Sequence, residues 1–328
     1  MSSFTSSSKA ALAALGVVFA TLILCELSLR FLERSISIDV AHLRSIPTIA
    51  ERLAAGDGQR VLFLGSSIVR EGVDLNTVRR AVRGSGWEPL TIDKVHPDDS
   101  RVVEWTHLVE HHFINAELSP DVIVIGFADT HLEDDNRIPW DRIGAYYTST
   151  PNLARIITKE IDDFGTSAQF VLAHFLRTFA HRERVGKRVL DFVVPHYRKS
   201  SRRINSALRR EELEATVSQE RRYAWVQRLA ELTRRNGVTL VLLAMPLRYS
   251  WEITPELRRR TSELNVKLID ARDIPGMDNQ SYKDSMHMNA LGAEQFSKWL
   301  LDLLAPVLLE ASGQTEKAID DFDIGPTA

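Results

Sequence analysis

Continuous apolar runs alternate with segments of helical periodicity over most of the chain. Unbroken apolar runs bounded by turn residues are typical of strands buried in a parallel sheet. Several runs are followed by helical patterns, and Asp98 or Asp99 is placed to cap one of these helices. This alternation predicts an α/β fold with a mainly parallel sheet. The predicted strands lie at 60–64, 89–95, 121–125, 239–244 and 266–270, and the predicted helices at 42–55, 74–82, 98–113 and 290–304.

The region between residues 129 and 236 has no clear strand pattern. We interpret about 140–235 as helices inserted into an α/β domain that spans 60–310. The middle of this insertion, 177–210, is crowded with Arg, Lys and His. One interpretation is a solvated helical cap. The other is a basic face that contacts anionic lipid headgroups or an acidic polymer.

The N-terminus departs from the average composition. Residues 10–25 carry no charge, and counting on to residue 32 gives a segment long enough to cross a bilayer core of about 30 Å. A cleaved signal peptide is the alternative, but no clear small-residue cleavage site follows. We therefore expect a membrane anchor at 1–32, a juxtamembrane connector at 33–59 and a disordered polar tail at 311–328.

Charge and cysteine content exclude some classes of function. The 41 Lys and Arg residues against 44 Asp and Glu residues give a formal net charge of −3. This balance offers no electrostatic case for nucleic acid as a partner. The single cysteine, Cys25, excludes an intramolecular disulfide. The oligomeric state is not indicated by the sequence.

The first motif with candidate chemistry is Gly65-Ser66-Ser67, directly after a predicted strand. A serine hydroxyl becomes a useful nucleophile when it is exposed and a neighbouring base takes its proton. A turn at the carboxyl end of a strand meets the positional need, because α/β folds bind ligands at that edge. An ordinary strand-to-helix turn is the alternative interpretation.

The second motif precedes the last predicted helix and contains Asp284, His287 and Asn289. A histidine on a loop can act as general base toward a serine. An aspartate three residues earlier can reach the other ring nitrogen and fix the tautomer. Asn289 can instead cap the helix, and Asp284 can be a turn residue.

Taken together, the two motifs resemble those of the SGNH/GDSL hydrolase family. The resemblance rests on Gly65-x-Ser67 with Glu71-Gly72, and on Asp284-x-x-His287 with Asn289 and Gly292. It implies a flavodoxin-like three-layer sandwich. It also implies Ser67 as nucleophile, His287 as base and Asp284 as the orienting acid, acting on an acylated small molecule or glycan without a metal or cofactor.

The Glu26-x-x-x-Arg30 pattern in the anchor resembles that of cell-envelope members that add or remove acyl groups on polysaccharide. This resemblance implies a single-pass protein with an extracytoplasmic domain. The charge distribution conflicts with that orientation. Lys9 precedes the anchor, whereas Arg30, Arg34 and Arg44 follow it, and positive charges favour the cytoplasmic side.

The sequence departs from the family where oxyanion donors are expected. Ala128 stands at the usual Asn position, and no oxyanion Gly is evident at 95–97. Loss of one such donor typically costs about 2.7–4 kcal/mol of transition-state stabilisation. A catalytically inactive binding protein in polysaccharide assembly is therefore an alternative. The candidate oxyanion or substrate contacts are Gly65, Ser66, Asp129, Thr130 and Asn289, with His131 nearby.

A weaker alternative is a zinc hydrolase. His107, Glu110 and His111 fit an H-x-x-E-H helix signature, in which the two histidines share one helix face. No third ligand is placed by a matching motif, and the signature needs a fold unlike the surrounding strand–turn pattern. The polar face of a surface helix is the simpler interpretation.

Overall fold

The computed structural model describes residues 4–84, 89–134, 138–197, 200–201 and 222–311. The chain divides into two compact units, one formed by residues 1–41 with 139–220 and the other by residues 42–138 with 221–328. The predicted tail lies outside the described residues except for Ala311, as does the basic segment 202–210.

The second unit contains a five-stranded parallel sheet, which confirms the predicted fold class. Its strands are β1 Gln59–Gly65, β2 Leu90–Val95, β3 Val122–Phe127, β4 Thr239–Ala244 and β5 Lys267–Asp270. Their order is β2-β1-β3-β4-β5, as in flavodoxin-like folds. The order reverses between β1 and β3, and such folds bind ligands beyond the carboxyl ends of the strands at this point.

Helices connect the strands and make up the first unit. In the described residues they are α1 Phe4–Ile36, α2 Ile38–Leu43, α3 Ile46–Ala54, α4 Ser67–Gly72, α5 Leu75–Gly84, α6 Val102–Val109, α7 Trp140–Tyr146, α8 Leu153–Glu160, α9 Phe164–Phe175, α10 Arg177–Ala180, α11 Arg182–Val193, α12 Ala224–Arg235, α13 Pro255–Glu263 and α14 Ala290–Ala311. A π-helical segment, Glu110–Ile114, continues α6, and 3-10 turns lie at Thr150–Asn152 and Asn279–Ser281.

The sheet unit has the expected three layers. β3 is buried along its whole length, and a parallel strand needs cover on both faces to be so. One group of helices, α4, α5 and α14, packs together, while α12 packs on α6 and α3 packs on the π-helical segment. The core therefore lies in two layers of apolar contact, one on each side of the central strands.

The first turn of α6 differs from the prediction. The helix begins at Val102 with Arg101 at its N-cap, and neither Asp98 nor Asp99 caps it. Asp99 has a φ of 53°, in the left-handed region that a helix cannot include. The carboxylate of Asp98 instead pairs with Arg70.

The structure also differs from the predicted domain boundaries at two places. α3 was expected in a connector, but Ile49 and Leu53 are buried and the helix packs on β1 and β2. α12 was expected at the end of the insertion, but Val226 and Leu229 are buried and the helix packs on α6 and β4. Burial against the sheet explains both differences, since each helix has one apolar face.

The first unit combines α1 with α7–α11. Its helices pack in a chain of neighbours, in which α7 contacts α9, α10 contacts both, and α1 contacts α10. The segment Lys9–Ile36 of α1 is long and apolar enough to cross a membrane, with a mean hydropathy of 2.3 over its best window. By length and composition, this helix is either a membrane anchor or a signal sequence.

Candidate active site

Gly65 ends β1 at a place where no side chain fits. A β-carbon there would lie 2.3 Å from Cγ2 of Val69 and 2.7 Å from the carbonyl oxygen of Gly126. The second contact is with backbone of the neighbouring strand and cannot be relieved by a side-chain rotation. Glycine therefore lets the chain turn from β1 directly into α4, and it has no side chain to offer to a substrate.

The two serines after Gly65 have different environments. Ser66 is buried and serves as the N-cap of α4, where its hydroxyl accepts a hydrogen bond from the Ile68 N–H at 3.5 Å. Ser67 is the first residue of α4 and is only half-buried. The sequence candidate Ser66 is thus a capping residue, and Ser67 is the serine available at the sheet edge.

The structure brings the hydroxyl of Ser67 and the imidazole of His287 together across 220 residues of sequence. Ser67 Oγ lies 2.8 Å from His287 Nε2. On the other side of the ring, His287 Nδ1 lies 2.9 Å from Oδ2 and 3.0 Å from Oδ1 of Asp284. Hydroxyl, imidazole and carboxylate thus form one continuous hydrogen-bonded chain.

Asp284 is held in its ionised form. Its Oδ1 accepts hydrogen bonds of 2.8 Å from the backbone N–H groups of Met286 and His287. Partial burial opposes ionisation, but these bonds and the His287 ring outweigh it and lower the pKa of Asp284 to about 2. A carboxylate in this position accepts a hydrogen bond from Nδ1–H, and this leaves Nε2 unprotonated and able to take the proton of Ser67.

The loop that carries Asp284 and His287 is anchored at both ends by backbone contacts. Tyr282 and Met288 form an antiparallel bridge, and the Lys283 N–H donates to the His287 carbonyl at 2.9 Å. The Arg248 N–H, from the segment after β4, donates to the Ser285 carbonyl at 3.2 Å. These contacts fix the position of the imidazole relative to the sheet edge.

An ion pair joins the same loop to the helix of Ser67. Lys283 Nζ lies 2.8 Å from Oε2 of Glu71, whose other oxygen accepts from Arg70 Nε at 2.9 Å. Burial opposes ionisation of Glu71, but the hydrogen bonds from Lys283 and Arg70 outweigh it and lower its pKa. The sequence motif included Glu71 but gave no sign of its partner Lys283.

Lys94 holds the other end of α4. Its ammonium group donates to the carbonyl oxygens of Arg70 at 2.8 Å and Val73 at 2.6 Å, where the helix ends. Burial lowers the pKa of Lys94 to about 8, although the carboxylates of Asp74 and Glu71 oppose the shift. No local motif marked this residue, because the contact depends on the packing of β2 beside α4.

The turn after β3 lies at the same edge of the sheet, since Gly126 is paired with Gly65. Asp129 has a φ of 48°, and the hydroxyl of Tyr249 reaches its carboxylate only at 3.5 Å. Within the described residues, no hydrogen bond joins Ser67 to Asp129 or Thr130. Both residues therefore stay predicted substrate contacts, and neither is hydrogen-bonded to the serine in the described residues.

His131 turns its ring back toward the start of the same turn. Its Nδ1 lies 3.4 Å from the Ala128 N–H, and its backbone N–H donates to the Ala128 carbonyl at 3.2 Å. The Ala128 side chain is fully buried. The His131 ring thus lies against the backbone N–H of Ala128, the residue at the position where an oxyanion Asn was expected.

Asn289 acts as a helix cap, the alternative that the sequence left open, and its role as a substrate contact stays a prediction. Its Oδ1 accepts from the Gly292 N–H at 3.0 Å, and its Nδ2 donates to the Gln280 carbonyl at 2.5 Å. Both ends of the amide are therefore used in starting α14. A β-carbon on Gly292 would lie 2.1 Å from the Ser281 carbonyl, so this glycine provides room for the loop.

The H-x-x-E-H segment does not assemble a metal site. His107 is buried in α6 with its ring 5.4 Å from that of Trp225, and Glu110 lies 3.5 Å from Arg228. His111 falls in the π-helical segment that follows α6. Among the residues that the structure describes, no group of three or more His, Cys, Asp or Glu side chains could hold a metal ion.

Comparison with known proteins gives similarity in structure only. No family model and no curated protein matches this chain. Its structural neighbours include a putative acylhydrolase from Bacteroides fragilis, with 12% identity and a TM-score of 0.37 over 82% of this chain and 96% of that one. An acetylxylan esterase from Geobacillus stearothermophilus has 12% identity and a TM-score of 0.37 over 77% and 96%.

A GDSL-like lipase from Bacteroides thetaiotaomicron is a third neighbour, with 13% identity and a TM-score of 0.35 over 82% of this chain and 99% of that one. The TM-scores of all three are too low to assign a function to this chain. The chemistry proposed next therefore rests on the geometry of the site itself.

Proposed function

We propose that the protein is a serine-dependent ester hydrolase or O-acyltransferase. One observation carries the proposal, namely the continuous chain from Ser67 Oγ through the His287 ring to the Asp284 carboxylate, with each link at 2.8–3.0 Å. The position of Ser67 supports it, because the serine follows β1 at the point where the strand order reverses.

In the proposed mechanism, Ser67 Oγ attacks the acyl carbonyl carbon while its proton passes to His287 Nε2. Asp284 stabilises the imidazolium that forms. The tetrahedral intermediate expels the alcohol, which takes the proton from Nε2 and leaves the acyl group on Ser67. Water or a sugar hydroxyl then attacks the acyl-enzyme, losing its proton to Nε2, and Ser67 is released with its own proton restored.

The oxyanion needs donors at the start of α4. Ser67 is the first residue of the helix, and the N–H groups of a first turn have no acceptor within their own helix. The Ser67 N–H is therefore the donor that we assign. With Ala128 at the Asn position, we expect a slower acylation step than that of an enzyme with a complete oxyanion hole.

A second candidate function is a non-catalytic binding protein with the same fold. The observation that favours it is the turn after β3, where Ala128 offers no side-chain donor and its N–H faces the His131 ring. For this candidate, Ser67→Ala retains full binding to acylated glycan. For the enzyme, Ser67→Ala abolishes turnover.

The adjacent serines provide a matched test of the enzyme. Wild-type protein, Ser67→Ala and Ser66→Ala are compared for hydrolysis of p-nitrophenyl acetate. We expect wild-type protein and Ser66→Ala to hydrolyse the ester, because Ser66 acts only as a cap, and Ser67→Ala to be inactive. Equal rates for wild-type protein and Ser67→Ala would contradict the proposal.

We also propose that α1 is retained as a membrane anchor. The carboxylate of Glu26 accepts hydrogen bonds of 2.9 Å from the backbone N–H groups of Arg177 and Thr178, which begin α10. The side chain of Glu33 is also buried within this unit. Cleavage at the end of the candidate span, Ile36, would remove both carboxylates from the unit. Intact mass of the protein from membranes tests this, since a mass that lacks the first 25 or more residues contradicts retention.

A further inference from the structure

The helical insertion exposes large apolar side chains on consecutive helices. Phe164 at the start of α9 is 88% exposed, and Phe192 near the end of α11 is 93% exposed. Isolated exposed apolar residues are ordinary on protein surfaces, whereas several large ones on neighbouring helices are typical of an interaction surface. We call the following set the insertion apolar surface. It comprises Phe164, Phe175, Leu176, Leu190, Phe192 and Val193.

Part of the insertion apolar surface lies directly beside the candidate membrane span. The Arg30 guanidinium donates to the Phe175 carbonyl at 2.6 Å, and Glu26 accepts from the next backbone N–H groups along the chain. Arg30 also pairs with Glu26 at 2.7 Å. Phe175 and Leu176 therefore lie beside the last turns of α1. This places them close to the bilayer that α1 would cross.

A second set of contacts fixes α11 to the end of the span. Asp39 lies 2.5 Å from Arg184, and Arg188 donates to the carbonyl oxygen of Ile36. These contacts involve residues on either side of the point where the candidate span ends. α11, which carries Phe192 and Val193, therefore begins at the level of the membrane surface.

A buried polar cluster makes this arrangement rigid. The Tyr146 hydroxyl donates to Glu33 at 2.5 Å, and His181 Nε2 lies 3.0 Å from the same carboxylate oxygen. Glu33 and His181 are 2% and 1% exposed. Burial, together with Glu33, raises the pKa of Tyr146. The cluster joins α1, α7 and the residue before α11, so these helices cannot separate without leaving buried polar groups unpaired.

Exposed apolar side chains next to basic ones are typical of a helix lying in a membrane interface. α11 carries four basic residues, Arg182, Arg184, Lys187 and Arg188, against two acidic ones, Glu183 and Asp191. A net positive charge near a bilayer is attracted to anionic lipids. We propose that α9–α11 form a platform on the membrane, with the insertion apolar surface inserted at the boundary between headgroups and acyl chains. The occupant of this surface is lipid, in the same bilayer that α1 spans.

The proposal is tested by site-specific fluorescence of the full-length protein in vesicles of phosphatidylcholine and phosphatidylglycerol. Single thiols are placed by Phe175→Cys and Phe192→Cys in a Cys25→Ser background and labelled with an environment-sensitive dye. The native Cys25 reports on the span, and Lys298→Cys, on the exposed face of α14, reports on water. Quenching by nitroxide-bearing lipid is compared between the four proteins.

We expect quenching at 175 and 192 to exceed that at 298 by about twofold or more, because the probes lie within the acyl boundary. Quenching at Cys25 but water-like behaviour at both insertion positions overturns the platform and leaves the anchor intact. Absence of quenching by nitroxide-bearing lipid at all four positions overturns both the platform and the membrane anchor. Neither result bears on the chemistry of Ser67, since positions 25, 175 and 192 lie in the first unit and Ser67 lies in the second.

Discussion

At Asp284, the charge of the side chain can be tested separately from its shape by substitution with asparagine. Asn has the same shape but cannot hold His287 in the tautomer that accepts the Ser67 proton. We expect Asp284→Asn to lower kcat for ester hydrolysis by about 10⁴-fold, with a much smaller effect on KM. Steady-state kinetics measure this. A kcat within a few-fold of wild type would show that the carboxylate does not orient the imidazole.

Lys94 makes stability depend on pH in an unusual direction. Because burial lowers its folded-state pKa to about 8, the unfolded chain holds its proton more tightly between that value and the ordinary lysine pKa. The unfolding free energy contributed by Lys94 should therefore rise with pH above 8, by at most about 1.4 kcal/mol per unit. Urea unfolding of wild type and Lys94→Met, near pH 8 and near pH 10, measures the difference.

In that comparison, the unfolding free energy of wild type minus that of Lys94→Met should increase as the pH rises. A difference that stays constant or falls would show that Lys94 keeps its ordinary pKa. Both carbonyl contacts of Lys94 can be made by the neutral amine, so α4 should remain in place.

The three residues of the hydrogen-bonded chain could be named from the sequence because each lies in a short local pattern. Lys94 and Lys283 could not, since their partners come from distant segments brought close by strand pairing. The role of Asn289 could not be decided from the sequence, because the same pattern, Asn three residues before Gly292, describes both a site residue and a helix cap.

At the scale of elements, the turn from β1 into α4 depends on Gly65. Gly65→Ala should destabilise the protein by about 1–3 kcal/mol, because the added methyl group meets Val69 and the backbone of β3. Gly186→Ala is the control, since a β-carbon there meets nothing within 4 Å in the middle of α11. The control should be neutral or stabilising by about 0.5–1 kcal/mol. Equal effects of the two changes on thermal unfolding would contradict the crowding at Gly65.

The three central strands β1, β3 and β4 were predicted well because their apolar runs are unbroken and buried in a sheet covered on both faces. The start of α6 was not, because Asp98 and Asp99 suit both a cap and a turn. Pairing of Asp98 with Arg70 and the left-handed backbone of Asp99 decide for the turn. Such a choice depends on a partner that local sequence does not show.

At the scale of the whole molecule, the first unit depends on Glu33. Glu33→Ala removes the carboxylate that the Tyr146 hydroxyl and the His181 ring share, and leaves these two buried groups with only each other, 2.9 Å apart, at a cost of about 1–3 kcal/mol. We expect faster hydrogen exchange in α7 and α10 of the full-length variant. Glu183→Ala, which removes an exposed carboxylate of α11, is the control and should leave exchange unchanged. Identical exchange in the two variants would contradict a structural role for the cluster.

The division into units was only partly visible in the sequence. The insertion was predicted from the missing strand pattern, and the candidate membrane span from its hydropathy. Their packing into one unit depends on Glu26 and Glu33. In the hydropathy pattern, these two charged residues only mark the end of the apolar segment. The extracytoplasmic location and the glycan substrate stay predictions.

The central claim is that Ser67 is a nucleophile activated by His287. Its most direct measurement is fluorophosphonate labelling of wild-type protein, followed by mass spectrometry of the peptide that contains residues 66 and 67. We predict one covalent adduct on Ser67, none in Ser67→Ala or His287→Ala, and an unchanged adduct in Ser66→Ala. Wild-type protein that remains unlabelled, or an adduct that persists in Ser67→Ala, would contradict the claim.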